Sequence, residues 1–313
     1  MRVWIMRSGS LTAATLAAVA LMAAPGAAQT LSPERPREHS SSVTPFQDTM
    51  ETARGMAMGL GARASATSTS GLAYNAAGLS IGRLYHVESG VAYEPSASRF
   101  SVGGSVIDSY SGPVNMGVNF RYVHGNGQNG HGGYDGRIAL GVPIGDAFAI
   151  GMTGRYVSFW REGQEGASPW AEGITFDASI RVSPIPGLHI AALGYNLLPM
   201  ASTLTPMQVG GSASYTIDSR FTIAVDGLAD IGTWTHDDGT IRPEALIGVG
   251  AEYFTGEVPI RAGYIYDSGR DTHFVTAGAG WMNQQLGIDI AVRQQVTAEY
   301  ATWLLATFRY FIH

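Results

Sequence analysis

From about residue 84 to its last residue, the chain places an apolar side chain at every second position. That period belongs to extended backbone, in which successive side chains point to opposite faces. Clusters of Gly, Pro, Asp and Asn divide the pattern into fourteen segments. They centre on residues 84–94, 99–108, 113–123, 134–142, 147–159, 173–182, 188–197, 207–217, 220–229, 243–254, 258–267, 272–281, 286–295 and 301–313. Many short alternating segments between turn-formers predict antiparallel strands joined in sequence order.

One face of these strands is greasy throughout. It reads Val114, Met116, Val118, Phe120 and Tyr122 in the third segment, Phe148, Ile150, Met152 and Tyr156 in the fifth, and Leu304, Ala306, Phe308, Tyr310 and Ile312 in the last. The opposite face carries Arg121, Arg137, Arg155, Asp177, Arg181, Asp226, Glu244, Glu252, Arg261, Asp289, Arg293 and Arg309, spaced mainly by Gly, Ala, Ser and Thr. Alternation alone suits either a soluble sandwich with its polar face in water or a membrane barrel with its polar face in the lumen. The strand count, and tyrosines near the ends of the apolar stripes (Tyr122, Tyr156, Tyr215, Tyr253, Tyr264, Tyr310), favour the barrel. In hydrocarbon an unpaired backbone amide is too costly to leave, so strands span a bilayer only when the sheet closes on itself.

The remaining composition narrows the field. Hydrophobic residues make up 45% of the chain and charged residues 14%, so it is apolar enough to fold but poor in surface charge. A formal charge of -6 argues against nucleic acid as a partner. With no cysteine, disulfide scaffolds, thiolate metal sites and iron–sulfur clusters are excluded.

Residues 1–28 read as a cleaved secretory signal peptide: Arg2 and Arg7 precede an apolar run from Leu11 to Ala24, then Gly26, Ala27 and Ala28. That run is shorter than the roughly 20 residues a spanning helix needs, and no later stretch is as uniformly apolar. The expected location is therefore the bacterial outer membrane, with outer-membrane lipids as the surrounding partner. Residues 29–44 are polar and aperiodic, which predicts a flexible segment. A short helix is expected next, with Thr44 as N-cap, Pro45 at the first helical position and Gln47 closing a capping box. Phe46, Met50, Ala53, Ala57 and Leu60 would share its buried face, and Gly59 with Gly61 would stop it.

The connections alternate in kind. Tight turns follow even-numbered segments (Pro143–Asp146, Pro184–Gly187, Asp218–Ser219, Thr255–Glu257), while longer stretches from His124, Arg161 and Ile231 follow odd ones. Outer-membrane barrels have short periplasmic turns and long extracellular loops, and an even strand count puts both chain ends on the periplasmic side.

Reaction chemistry is sparse. The eight histidines show no paired metal spacing, and GNGQNG lacks the lysine and the strand-to-helix context of a phosphate loop. His124 and His131 are read as loop residues and Asp237-Asp238 as a turn. The serines lack a nucleophile elbow. We nominate no catalytic residue, metal or cofactor, and expect no enzyme. On the polar face, seven arginines against five acids suggest either a lane for a carboxylate-bearing solute or mutual ion pairing within the lumen. Gly103-Gly104 and Gly210-Gly211 would either break the wall as bulges or ease its curvature.

The segment GLGARASATSTSGLAYNAAGLS, residues 59–80, resembles the N-terminal motif of the FadL-type outer-membrane protein superfamily. Asn75, Ala77, Gly78 and Leu79 match its Asn-Pro-Ala-Gly-Leu-like sequence. Ala76 stands in the proline position, and uncharged Thr67 to Ser70 replace an acidic pair. Residues 248–280 and the phrase ALGYNLLP, residues 192–199, resemble the shorter PorV-like branch. The resemblance implies an all-β, 14-stranded antiparallel transmembrane β-barrel over residues 82–313, with residues 45–81 as a short helical plug in its lumen. It implies one of two roles. The first is a passive channel for small hydrophobic or amphipathic solutes, with a hydrophobic small molecule as ligand. The second is a structural accessory barrel bound to a partner in a secretion or surface-attachment assembly.

Overall fold

The computed structural model describes residues 52–125, 131–161, 171–198, 205–231, 244–269, 271–297 and 301–312, with Ala97, His131, Arg161 and Glu244 described by their backbones alone. The signal peptide, the segment 29–44 and the start of the expected helix lie outside the described residues.

The alternating segments form fourteen strands: β1 (Tyr85–Glu94), β2 (Arg99–Asp108), β3 (Asn115–Gly125), β4 (His131–Ile144), β5 (Phe148–Arg161), β6 (Ala171–Ile185), β7 (Leu188–Tyr195), β8 (Gln208–Ile217), β9 (Phe221–Asp230), β10 (Glu244–Phe254), β11 (Pro259–Asp267), β12 (Thr272–Met282), β13 (Leu286–Gln295) and β14 (Thr302–Ile312). Each pairs with its sequence neighbours, and β1 pairs with β14 to close the barrel. Along that seam Tyr85 faces Ile312, Glu88 faces Arg309 and Tyr93 faces Leu304. Closure leaves no strand edge, the condition hydrocarbon imposes.

The strands run from 8 residues in β7 to 15 in β6, against the roughly 9–11 that a tilted strand needs to cross a bilayer. β4 and β6 extend beyond the alternating core of their segments. Gly132, Gly133 and Gly173 hide the period in sequence without breaking the ladder to β5. The stretch from His124 is thus less of a loop than its glycines suggest: His124, Gly125, His131, Gly132 and Gly133 are strand residues, and 126–130 lie outside the described residues. So do 162–170 and 232–243, which hold most of the other two long connections and Asp237-Asp238.

The rim carrying Tyr85 and Ile312 has the tight turns. Gly145 (φ +65°) and Gly187 (φ +80°) turn there, and Asp218 and Ser219 both take left-handed backbone, as a two-residue hairpin bend requires. The apolar stripe faces outward all round, with Phe120 54% exposed and Ile290 58%. Tyr85, Tyr215, Tyr253, Trp281 and Tyr310 lie toward this rim. Tyr93, Phe100, Tyr122, Tyr134, Tyr264 and Tyr266 lie toward the other, where Tyr134 packs on Phe120, Tyr122 and Trp160 at centroid distances of 5.7, 5.3 and 5.4 Å. A water-soluble monomer does not expose an unbroken apolar surface of this extent.

The lumen is filled by helix α1 (Ala53–Ala57), a 3-10 turn (Arg63–Ser65), helix α2 (Ser68–Tyr74) and a second 3-10 turn (Ala76–Ser80). The described N-cap of α1 is Thr52, whose Oγ1 accepts the Gly55 N–H at 3.0 Å. Extended backbone at Thr52 means that the expected single helix from Pro45 toward Gly59 does not form: α1 covers only Ala53–Ala57, and Leu60, past its end, packs with Ala53, Met56 and Ala57 against Leu228, Leu246, Ile265, Phe274 and Trp303. Helix α2 has no clear signature in its sequence, because Ser-Thr-Ser-Gly forms helix poorly. Packing imposes it: Leu72 lies in a cluster with Leu79, Ile107 and Ala139.

The plug lies directly on the wall where the inward face is glycine. A Cβ on Gly250 would stand 2.6 Å from the Met58 carbonyl oxygen, and one on Gly151 would collide with the Ala77 nitrogen. Much of the inward-facing glycine therefore records the contact with the plug rather than barrel curvature alone.

Candidate functional site: the plugged lumen

Polar side chains of the wall bind the plug through its backbone. Asp226 on β9 accepts the N–H groups of Ala62 (3.1 Å) and Arg63 (2.9 Å), and Ser212 on β8 accepts that of Ala64 (2.8 Å). Thr276 on β12 accepts from Gly59 (3.2 Å) and donates to the Ala57 carbonyl (2.9 Å). Ser68, held at φ +60°, meets His86 Nε2 at 2.7 Å.

Arg63 is the plug's central cation. Its guanidinium sits 4.9 Å from the Tyr74 ring and 5.1 Å from the Tyr195 ring, and it donates to Tyr195 Oη at 2.8 Å. Tyr195 in turn donates to the Tyr74 carbonyl. Burial opposes the Arg63 charge, but Tyr195, Asp226 and Tyr74 around it hold its pKa above the ordinary value.

The residues of the Asn75-to-Leu79 motif meet at the plug's second turn. Asn75 Nδ2 donates to the Arg63 carbonyl (2.8 Å), and the Ala77 N–H donates to Ser179 of β6 (3.1 Å). A Cβ on Gly78 would clash with the Ala66 oxygen, and Leu79 is fully buried.

Of the ions expected on the inner face, Arg121, Arg137, Arg155, Asp177, Arg181, Asp226, Glu252, Arg261, Asp289, Arg293 and Arg309 all occupy inward positions. Glu244 lies in β10, and its side chain is outside the described residues.

Six of them, Arg137, Arg155, Glu252, Arg261, Asp289 and Arg309, are in ion pairs. Arg261 bridges Glu252 (2.6 Å) and Asp289 (2.5 Å), and Glu252 also binds Arg54 of the plug (3.1 Å). Arg309 pairs with Glu88 at 2.5 Å. Arg137 and Arg155 converge on Asp135 at 3.0 and 2.6 Å, while Arg137 also donates to the Ala73 carbonyl of the plug. Asp135, Glu88 and Arg54 are ion-pair partners that the sequence did not single out. For Glu88 the inward position in the period-two pattern was the available signal.

Arg181 differs. Among the described residues its bonds go to Ser80, Ser183 and His189, none of them an acid.

Between plug and wall a narrow open cleft remains, lined by Met56 and Thr69 of the plug and by β1, β2, β3 and β14. Its lining mixes apolar Met56, Ala92, Trp303 and Leu305 with polar Ser101, Ser105, Asn119 and Thr307 and with the charged Glu88 and Arg121. Asn119 Oδ1 and Trp303 Nε1 are buried without a hydrogen-bond partner.

The glycine pairs do not break the wall. Gly103 and Gly104 pair in register with β1 and β3, and Gly210 and Gly211 with β7 and β9. Irregularity falls elsewhere. The β6–β7 register shifts between Val182 and Ile185, and β7 ends at Tyr195, where Asn196 (φ +51°) bends the chain onto Asp177.

No family model matches the sequence, and no curated protein matches it. Solved structures do share its fold. The Ralstonia pickettii toluene transporter TbuX superposes with a TM-score of 0.63 at 12% identity, over 86% of this chain and 100% of that one. The Pseudomonas putida toluene transporter TodX gives 0.58 at 12% over 84% and 98%, and a Pseudomonas aeruginosa FadL homologue 0.59 at 12% over 85% and 99%. The chain thus has a FadL-type fold.

Proposed function

We propose that this protein is an outer-membrane channel that carries small hydrophobic or amphipathic solutes past its plug without an energy source. The cleft between plug and wall carries this reading. It opens between plug and wall, its lining is both apolar and polar, and Asn119 Oδ1 and Trp303 Nε1 beside it have unused hydrogen-bonding capacity. Two of the structures that share the fold are toluene transporters, which makes toluene a reasonable first probe. In this reading the tight-turn rim faces the periplasm, and the irregular β6–β7 wall beside Asn196 is where an apolar solute would leave sideways.

The test uses vesicles with lipopolysaccharide in the outer leaflet. Those bearing the full chain should take up toluene faster than empty ones, and removal of residues 45–81 should raise conductance in planar bilayers. Equal uptake and an unchanged, silent bilayer would overturn the channel.

A second reading, an accessory barrel in the PorV-like manner, draws on the number of wall contacts that hold the plug in place. A partner that stays bound in mild detergent, with no solute uptake, would select it.

A further inference from the structure

Arg181 lies on β6 near the tight-turn rim and is 5% exposed. Its Nη1 donates to Ser183 Oγ at 2.8 Å and contacts His189 Nδ1 at 3.2 Å; its Nη2 donates to Ser80 Oγ at 3.0 Å. Ser183 Oγ and His189 Nδ1 are themselves 2.7 Å apart. Nε is buried and has no partner.

A guanidinium has five N–H donors, and Nε with Nη2 forms the side-on fork that matches two oxygens of a carboxylate or phosphate. Here one prong of that fork is unused and the other is held only by a hydroxyl. Four other lumen arginines, Arg137, Arg155, Arg261 and Arg309, spend their charge on Asp or Glu. A buried cation ringed by two hydroxyls and an imidazole is incomplete unless an anion joins it.

We propose that Arg181, His189, Ser183 and Ser80 form a binding site for a compact oxyanion, a carboxylate or a phosphate, at the tight-turn end of the lumen. The anion takes the Nε/Nη2 edge and displaces Ser80, the last residue of the plug's second 3-10 turn. The serine hydroxyls reorient to donate to it. The site suits the charged end of an amphipathic molecule, and its occupancy does not depend on whether the barrel transports.

The test is equilibrium binding to the detergent-solubilised full chain, by calorimetry, with inorganic phosphate, benzoate and, as the uncharged control, benzyl alcohol. We expect saturable binding of at least one anion, no displacement of it by benzyl alcohol, and affinity at least tenfold weaker in R181Q that keeps the heat-modifiable gel shift of a folded barrel. Tighter phosphate binding assigns the site to free phosphate or phosphomonoesters, and tighter benzoate binding to carboxylate solutes. If R181Q does not fold, R181K and H189Q provide the comparison, each weakening the anion at least threefold.

Absence of saturable anion binding in the native chain, or unchanged affinity in these variants, overturns the site. So would anion binding that appears only after Glu34, Glu38, Asp48 and Glu51 are replaced by Gln, because one of the chain's own carboxylates would then be the occupant.

Discussion

The Asp226 carboxylate of β9 accepts the Arg63 backbone N–H of the plug at 2.9 Å through one oxygen and the Ala62 N–H at 3.1 Å through the other. The wall thus anchors the plug by its main chain, and the Asp226 carboxylate also favours the Arg63 charge without pairing with it directly. Asp226→Ala would orphan two buried amides. We expect a loss of about 3 kcal/mol in plug docking, roughly a 100-fold rise in the undocked population. Hydrogen exchange at Ala62 and Arg63 should accelerate by that factor while the strand amides stay protected; unchanged exchange would show that the anchor lies elsewhere.

Asp135 is fully buried between Arg137 and Arg155. Asp135→Asn would leave two guanidinium groups facing each other across β4 and β5 with most of their compensation gone, a cost of about 3–5 kcal/mol by the usual penalty for breaking a buried pair. The urea midpoint for unfolding from lipid vesicles should fall accordingly. Adding Arg155→Met to Asp135→Asn should recover part of the loss, since it removes the charge left unpaired. Strictly additive losses would mean that the three do not act as one network.

How far the sequence reveals this molecule depends on what governs each part. Strand alternation is local, with one face toward lipid and the other toward the lumen, so Phe120 and Arg121 can be assigned to opposite sides by position alone. The plug is governed by tertiary contact. Ser68–Tyr74 becomes helical because Leu72 packs against Ile107 and Ala139, residues far away in sequence. The ion network was half legible: Arg137 and Arg155 stood out on the polar face. Asp135, which joins them, sits in a glycine-rich stretch where the period fades, between Gly132-Gly133-Tyr134 and Gly136. The kink at Asn196 was hidden in a phrase that reads as a strand ending.

Gly151 and Gly154 lie three residues apart on β5 but point to opposite sides. A Cβ on Gly151 would overlap the plug at Ala76 and Ala77, whereas on Gly154 the nearest contact is the Ile138 oxygen at 4.0 Å. Gly151→Ala should destabilise plug docking by about 1–3 kcal/mol, the usual cost of overpacking, and raise the conductance of the folded barrel in planar bilayers. Gly154→Ala should change stability by less than about 0.5 kcal/mol. Equal conductance in the two variants would mean that the plug does not rest on this glycine.

Trp303 borders the cleft, and its ring packs on Phe274 at a centroid distance of 5.9 Å. Its indole N–H is buried and unpartnered, so the folded protein already bears the cost of desolvating that donor. Trp303→Phe keeps an aromatic ring in place and removes the donor, which makes it an inexpensive change for the fold but a consequential one for a ligand. A solute that can accept a hydrogen bond gains a partner in the native cleft and loses it in the variant. One net hydrogen bond is worth about 1 kcal/mol, so benzyl alcohol should bind about fivefold more weakly to Trp303→Phe. Toluene has no such group, and its affinity should change by less than twofold. Parallel titrations of native and variant protein in detergent, read by calorimetry, separate the two effects. If both probes weaken equally, the indole acts through its bulk alone; if neither binds, the cleft is not a solute site.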